Sequence, residues 1–378
     1  MDAVLVPPRA KSGLIQNTHA TNSLCGYHHY VRLADFHFDL PNELIAQRPE
    51  PRGASRLLVV NRATGTWTES RVADLATWLS PGDLVVANDS RVFPARLLGR
   101  RAGGGRAECL LLTREQGDTW WALVNPGQRL PVGAQIDFTD PDRAPGLTLV
   151  GRIVDREADG RRLVTLVADG SGVDAAIDRL GHVPLPPYIR RSDDADDRVR
   201  YQTIFADTAG SIAAPTAGLH FDDALLRSLA TAGVGTTTVT LHVGYGTFKP
   251  VKVDDVRDHR VDAERFVVPG ETAGRITRTR RQGHRVVAVG TTTTRVIETA
   301  AGRTGVVEPG AGETDLCIVP GHRFRAVDAL LTNFHLPQSS LLLLVCAFGG
   351  RELILSAYRA AIERGFRFYS YGDAMLVR

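Results

Sequence analysis

Four short segments hold the residues best suited to chemistry. Residues 210–220 are small apart from Ile212 and Leu219, include Pro215 and Thr216, and close on His220. So little side chain is poor core filling, and close approach of the backbone to a ligand explains it better. His220 can titrate or hydrogen-bond near neutral pH. Asp222 is a good N-cap for a helix over 224–229, and a helix N-terminus offers N–H groups to an anionic or polar ligand. Residues 241–248 are of the same kind, with His242, Gly244, Gly246 and Thr247. Residues 290–295 supply Gly290, Thr291, Thr292 and Arg295, and 331–337 supply Asn333 and His335. Each segment follows a predicted strand or opens a predicted helix. Ligands of open α/β sheets bind at the carboxyl ends of strands, so one shared pocket is expected. The alternative is a set of glycine-rich surface loops carrying hydrogen-bonded structural histidines.

The elements that must position these segments alternate from about residue 175 onward. Helices are predicted over 224–232, 271–282, 293–301, 339–348 and 351–363, and strands over 236–243, 285–289, 315–319 and the C-terminus. That is α/β order. A short helix is expected over 39–46 and a strand over 56–61. Between them, short β-like runs at 83–87, 107–112, 119–124, 135–138, 147–154 and 163–167 are separated by Gly, Pro, Asn and Asp, with no amphipathic helix. This spacing predicts a small antiparallel barrel or sandwich. The expected organisation is a tail over 1–32, an α/β catalytic domain over 33–81 and 171–378, and an insertion over 82–170.

Composition sets the class. The 378 residues are 43% hydrophobic and 23% charged, as in a globular protein with a sizeable core. A net charge of +3 does not by itself argue for nucleic acid. Four scattered cysteines with no C-x-x-C pair argue against a structural zinc site and predict a reduced, cytoplasmic chain. The longest apolar run, 341–348, is far short of the roughly 20 residues of a membrane span. Two arginine clusters stand out: Arg91, Arg96, Arg100, Arg101 and Arg106, and Arg275, Arg278, Arg280, Arg281 and Arg285. The second reads as a solvated helix face. The first includes the polar turn Asn88-Asp89-Ser90-Arg91 after a buried-looking strand, and RNA phosphate contact is the natural use of such a surface.

From about residue 36 to the C-terminus the chain resembles the S-adenosylmethionine:tRNA ribosyltransferase-isomerase family. The residues that carry the resemblance are Asp39-Leu40-Pro41, Asn88-Asp89-Ser90-Arg91-Val92 with Pro94-Ala95-Arg96-Leu97, Tyr201-Gln202-Thr203, the 213–221 loop, Leu241-His242-Val243-Gly244, Thr332-Asn333-Phe334-His335-Leu336-Pro337 and the 368–375 run. The resemblance implies an α/β domain carrying an inserted small antiparallel β-barrel. It also implies a reaction: the ribosyl part of S-adenosylmethionine passes to 7-aminomethyl-7-deazaguanine at the wobble position of tRNA with a GUN anticodon. There it becomes the epoxycyclopentanediol of epoxyqueuosine, with release of adenine and methionine. S-adenosylmethionine is consumed as a substrate, no metal is expected, and a monomer is expected.

The family's His-x-Met-His-x-Glu pattern stands here as His259-Arg260-Val261-Asp262-Ala263-Glu264, keeping the first His and the Glu; its usual Lys after His-Leu-Pro is Gln338. On this resemblance His259, Glu264, His220 and His335 are the catalytic candidates. Pro215, Thr216, His242, Gly244, Gly246, Thr247, Gly290, Thr291, Thr292, Arg295 and Asn333 are expected to hold the cofactor. Within that set, the 290–295 segment would bind the methionine carboxylate, with Arg295 as counter-charge. Asn88, Asp89, Arg91, Arg96, Arg100 and Arg101 are expected at the tRNA. Two other readings remain open here: a paralogue using the same cofactor on a non-tRNA acceptor, and an RNA-binding protein that has lost catalysis.

Overall fold

Runs of apolar residues with no polar alternation need cover on both faces, and three such strands form the centre of the molecule. The computed structural model describes residues 30–170 and 172–378. The strands β1 (Arg56–Asn61) and β2 (Thr66–Arg71) form a hairpin, followed by β3 (Leu84–Asn88) and β4 (Ser90–Val92). Six strands then close a barrel: β5 (Arg96–Arg101), β6 (Arg106–Gln116), β7 (Thr119–Asn125), β8 (Gln135–Phe138), β9 (Leu149–Arg156) and β10 (Arg162–Ala168). The helices α1 (Val173–Leu180) and α2 (Asp197–Arg200) lead to β11 (Thr208–Ser211), α3 (Asp223–Thr231), β12 (Gly235–Leu241) and β13 (Glu264–Val268). The chain finishes with α4 (Gly270–Arg281), β14 (Val286–Val289), α5 (Gly290–Ala301), β15 (Gly310–Thr314), β16 (Ala329–Asn333), α6 (Ser340–Gly349), α7 (Arg351–Glu363) and β17 (Ala374–Val377).

Nine of these strands make one sheet in the order β15-β13-β12-β3-β14-β16-β17-β1-β2. The four strands β12, β3, β14 and β16 run parallel, so their carboxyl ends share one edge. Alternate side chains supply two cores. Leu84, Val86, Ala288 and Leu330 pack with α5, α6 and α7 on one face; Val85, Ala87, Val287 and Leu331 pack with α3 on the other. The barrel has its own core, including Leu97, Cys109, Ile136, Phe138 and Leu166, and α1 closes it with Ala176, Ile177 and Leu180. A Cβ at Gly99 of β5 would lie 2.5 Å from the carbonyl oxygen of Asp137, so the closing strands approach too tightly there for a side chain.

The α/β domain with an inserted antiparallel barrel is the architecture expected, with local differences. The run at 83–87, grouped with the barrel on spacing, is β3 at the centre of the large sheet, and the barrel strands run from Arg96 to Ala168. The expected strand at 315–319 is irregular; the edge strand is the polar β15, while Ile318 still buries itself in the core. The helix expected over 39–46 is one 3-10 turn, Asn42–Leu44. Residues 1–29 of the expected tail lie outside the described residues. Val31 and Arg32 are held, because the Val31 carbonyl accepts from Val256 N–H and Arg32 bridges to Asp255. Among the described residues no single helix is long and apolar enough to cross a membrane. The apolar α6 is a buried core helix, capped by Ser339 Oγ accepting from Leu342 N–H at 3.2 Å.

Candidate active site

The carboxyl ends of β12, β14 and β16 open onto a cavity of about 520 Å³, a size suited to a small organic ligand. All four polar segments line it. Pro215 and Thr216 come from the first, Thr247 from the second, Gly290, Thr291 and Thr292 from the third, and Asn333 and His335 from the fourth. The third segment is not a loop. Gly290 takes φ +88°, a conformation that favours glycine, and α5 starts there, so its first-turn N–H groups have no side-chain cap. Thr293 and Thr294 hydroxyls donate back to the carbonyls of Val289 and Gly290, whereas the buried Thr292 Oγ1 has no partner among the described residues.

Asn333 is a node of the wall. Its Oδ1 accepts from Thr216 Oγ1 at 3.1 Å, and its Nδ2 reaches the Tyr369 carbonyl and His220 Nε2, each at 3.1 Å. His220 is buried behind Asn333, with Nδ1 3.0 Å from Ser55 Oγ, and does not line the cavity. Burial, and secondarily Arg367, holds its pKa down at about 4, so it is a neutral positioning residue rather than a proton carrier at the cavity. His335 does line the cavity, with Nε2 2.8 Å from Thr332 Oγ1; burial pushes its pKa to about 3, so it is neutral at pH 7.

The sequence reading missed an aromatic wall. Tyr188, Tyr201 and Tyr369 line the cavity, and the rings of Tyr188 and Tyr369 lie 3.9 Å apart between centroids. Among the described residues only Gln338 (φ +58°) and Tyr369 (φ +73°) are non-glycine residues with positive φ, and both line this cavity. Backbone strain of this kind collects at functional sites. The strain itself has no sequence signature, although the 368–375 run was already part of the family resemblance. No carboxylate lines the cavity among the described residues; its one cation, Lys249, pairs with Asp262 at 2.6 Å.

Other expected site residues are placed elsewhere. Glu264 is buried and bonded on three sides, by Arg295 Nη1 at 2.5 Å, Gly244 N–H at 2.8 Å and Thr247 Oγ1 at 3.5 Å. Arg295 also donates to the carbonyls of Leu316 and Thr314. This buried pair ties the 244–247 turn to α5, and its charges are already satisfied; Arg295 does not face the cavity as a counter-charge. Gly246 borders the small crevice that contains this pair. His259 ends a 3-10 turn, Val256–Asp258, and is not on the cavity wall; partial burial, then Arg260, lowers its pKa. His242 lies outside the wall too, its ring occupying the space a Cβ at Gly210 would need, 2.6 Å from Nδ1.

The expected RNA surface divides likewise. Asn88 is buried; its Oδ1 accepts from the N–H groups of Ser90 and Leu241, and its Nδ2 donates to the Leu241 carbonyl, fastening β3 to β12. Asp89 accepts from Thr240 Oγ1 at 2.7 Å. Both serve the fold through these bonds. Arg96 forms a two-pronged pair with Glu108, and Arg100 donates to the Gly104 carbonyl at 2.9 Å. Arg101 packs against Gly105. Arg91 is exposed and borders a cleft of about 750 Å³ beside the barrel, with Phe93, Trp120, Arg198 and Arg265. That cleft is larger, but its charges are of both signs and much of its polarity is paired, as in Arg114 with Asp174 at 2.7 Å. The 520 Å³ cavity is the better small-ligand site because the strand ends, the uncapped helix start and the strained residues coincide there.

Residues 33–377 match the family described as queuosine biosynthesis protein. The S-adenosylmethionine:tRNA ribosyltransferase-isomerase of Moorella thermoacetica is 49% identical over 352 residues, covering 92% of this chain and 100% of that protein. The protein of the same name from Anaeromyxobacter dehalogenans strain 2CP-C is 51% identical over 351 residues, covering 92% and 99%. The crystal structure of S-adenosylmethionine tRNA ribosyltransferase from Thermotoga maritima is similar at a TM-score of 0.52 and 37% identity, covering 91% of this chain and 100% of that one. With nearly its whole length matched, this chain belongs to the queuosine biosynthesis protein family.

Proposed function

We propose that this protein is an S-adenosylmethionine:tRNA ribosyltransferase-isomerase. It transfers the ribosyl part of S-adenosylmethionine to the aminomethyl group of 7-aminomethyl-7-deazaguanine at the wobble position of tRNA with a GUN anticodon. The ribosyl group is isomerised to the epoxycyclopentanediol of epoxyqueuosine, and adenine and methionine leave. It acts in the cytoplasm, as a monomer, and S-adenosylmethionine is consumed. The observation that carries this reading is the cavity at the carboxyl ends of β12, β14 and β16, in a chain of this family.

The lining fits such a molecule. The uncapped first turn of α5 at Gly290–Thr292 takes the methionine carboxylate through backbone N–H groups and the partnerless Thr292 hydroxyl. The absence of a carboxylate wall keeps that anion from being repelled. Pro215 and Thr216 bound the space for the ribose, with Thr216 oriented by Asn333. A base must take a proton beside the sulfonium carbon. His335, the one imidazole on the wall among the described residues, is the base in this reading. Glu264 with Arg295 holds the neighbouring turn and helix in place. Arg91, on the exposed face beside the barrel, contributes to phosphate contact.

The test is mass spectrometry of tRNA bearing 7-aminomethyl-7-deazaguanine after incubation with S-adenosylmethionine. The expected result is the epoxycyclopentanediol adduct on that nucleoside with adenine released in equal amount. Release of adenine without any change in the RNA would overturn the proposed acceptor.

A further inference from the structure

The reaction above requires the cavity to grip a purine that must also depart, and one tyrosine is built for that contact. Tyr369 is more than nine-tenths buried, lines the cavity, and its hydroxyl has no hydrogen-bond partner among the described residues. Leaving a buried hydroxyl without a partner is unfavourable, so its retention needs a reason. The residue also holds a left-handed backbone, φ +73°, which for a tyrosine is strained. Three contacts impose that conformation: Tyr369 N–H donates to the Phe334 carbonyl, its carbonyl accepts from Asn333 Nδ2, and Gly372 N–H donates to the same carbonyl. The surroundings therefore force the ring onto the cavity wall and leave its polar end unsatisfied.

The neighbours define what chemistry completes it. The Tyr188 ring lies 3.9 Å from that of Tyr369 between centroids, tilted by 35°, with its own hydroxyl 2.5 Å from Ser370 Oγ, so within this pair the Tyr369 hydroxyl is the uncommitted one. Burial pushes the Tyr369 pKa up, which keeps the proton on oxygen and the group a donor. Aromatic faces beside an uncommitted Tyr369 hydroxyl, with the unpartnered hydroxyls of Tyr201 and Thr292 elsewhere on the wall and no carboxylate among its described residues, suit a neutral heteroaromatic base with ring-nitrogen acceptors.

We propose that Tyr369 is the purine-recognition residue of this cavity, set beside Tyr188 and donating its hydroxyl hydrogen to a ring nitrogen of the adenine of S-adenosylmethionine. This rests on the reading under Proposed function and adds a residue to it. The hydrogen bond positions the base in the ground state, and strengthens as the bond between ribose and adenine breaks and negative charge gathers on the ring nitrogens.

Tyr369→Phe tests this, since it deletes only the Tyr369 hydroxyl oxygen and leaves the unpartnered hydroxyls of Tyr201 and Thr292 in place. The probes are S-adenosylmethionine, adenosine and methionine, each titrated calorimetrically into the full-length protein without RNA. The expected result is a roughly 10-fold loss of affinity for S-adenosylmethionine and for adenosine, none for methionine, and ligand-free thermal stability equal to or above wild type. Tyr369→Leu, which removes the ring as well, is expected to lose at least as much for adenosine. Unchanged affinity for S-adenosylmethionine in Tyr369→Phe, with wild type binding normally, would overturn this assignment alone. An equal loss for methionine would overturn it too, by showing a general distortion of the cavity. Wild-type protein that binds neither S-adenosylmethionine nor adenosine would overturn the proposed function along with it.

Discussion

The strand-end cavity and the barrel surface are both polar, and they use polarity in opposite ways. On the barrel, charge is spent within the protein: Arg96 on Glu108, Arg100 on the Gly104 carbonyl, Arg161 on Asp159. In the cavity there is almost no charge, yet among the described residues the buried Thr292, Tyr201 and Tyr369 oxygens lack partners and two non-glycine residues hold positive φ; the barrel's Arg101 Nε and Trp120 Nε1 are unpartnered too, but with no such backbone strain beside them. Buried polar groups are ordinarily bonded, so unpaired polarity in a strained, enclosed place marks a ligand site more sharply than a density of exposed arginines.

The comparison is broken or sharpened by variants in each region. The largest effect is expected at His335. His335→Gln keeps a hydrogen-bonding group near Thr332 but removes the imidazole, and turnover should fall about 100- to 10,000-fold. Wild-type turnover in steady-state assays would remove His335 from the chemistry. Next, Arg295→Ala should destabilise the fold by about 3–5 kcal/mol in urea unfolding, because Glu264 is left buried without its partner. A variant of wild-type stability with weakened cofactor binding would instead restore Arg295 as a direct counter-charge.

Stability should also fall with acid in a defined window. His220 and His335 have folded-state pKa values of about 4 and about 3, below the ordinary 6.5. Between these limits the unfolded chain binds protons that the folded one does not. The unfolding free energy should therefore drop by roughly 1.4 kcal/mol per pH unit for each histidine from pH 6.5 down toward 4. Chemical unfolding at several pH values measures the slope, and a flat profile would mean that these rings are hydrated. On the barrel side, Arg91→Ala should lower the salt slope of tRNA binding by about 1, read from binding constants across a salt series. An unchanged slope would take Arg91 off the RNA. The smallest effect is expected at Arg96→Ala, under about 1 kcal/mol in thermal unfolding, since its pair with Glu108 is a third exposed on each side.

Much of this division was legible in the sequence. Polar segments that follow a strand or open a helix marked the four that line the cavity, and closely spaced β-like runs with no amphipathic helix between them marked the barrel. Asp222 was read as a helix cap, and it accepts from Leu225 N–H at 2.7 Å. The placements that differ have a common cause. Residue type does not reveal which partner a polar group finds: Asn88 was expected at the RNA, Arg295 at the cofactor, and Glu264 and His220 in catalysis, and each is bonded within the fold across more than 25 residues of sequence. Strand β5 was hidden because its arginines, at positions 96, 100 and 101, drew it toward RNA rather than toward the barrel. Tyr369 lay within the 368–375 run of the resemblance but was not singled out as a site residue, because strain is a property of backbone torsion that no spacing of side chains records.

The central claim is that the strand-end cavity, not the cleft beside the barrel, receives S-adenosylmethionine. A crystal structure of the protein with S-adenosylmethionine and no RNA tests it most directly. The account predicts the ligand between residues 213–217, 290–292 and 332–339, its carboxylate on the first turn of α5 and its adenine against Tyr369. A ligand bound in the cleft of Arg91, Phe93 and Trp120, with the strand-end cavity empty, would contradict it.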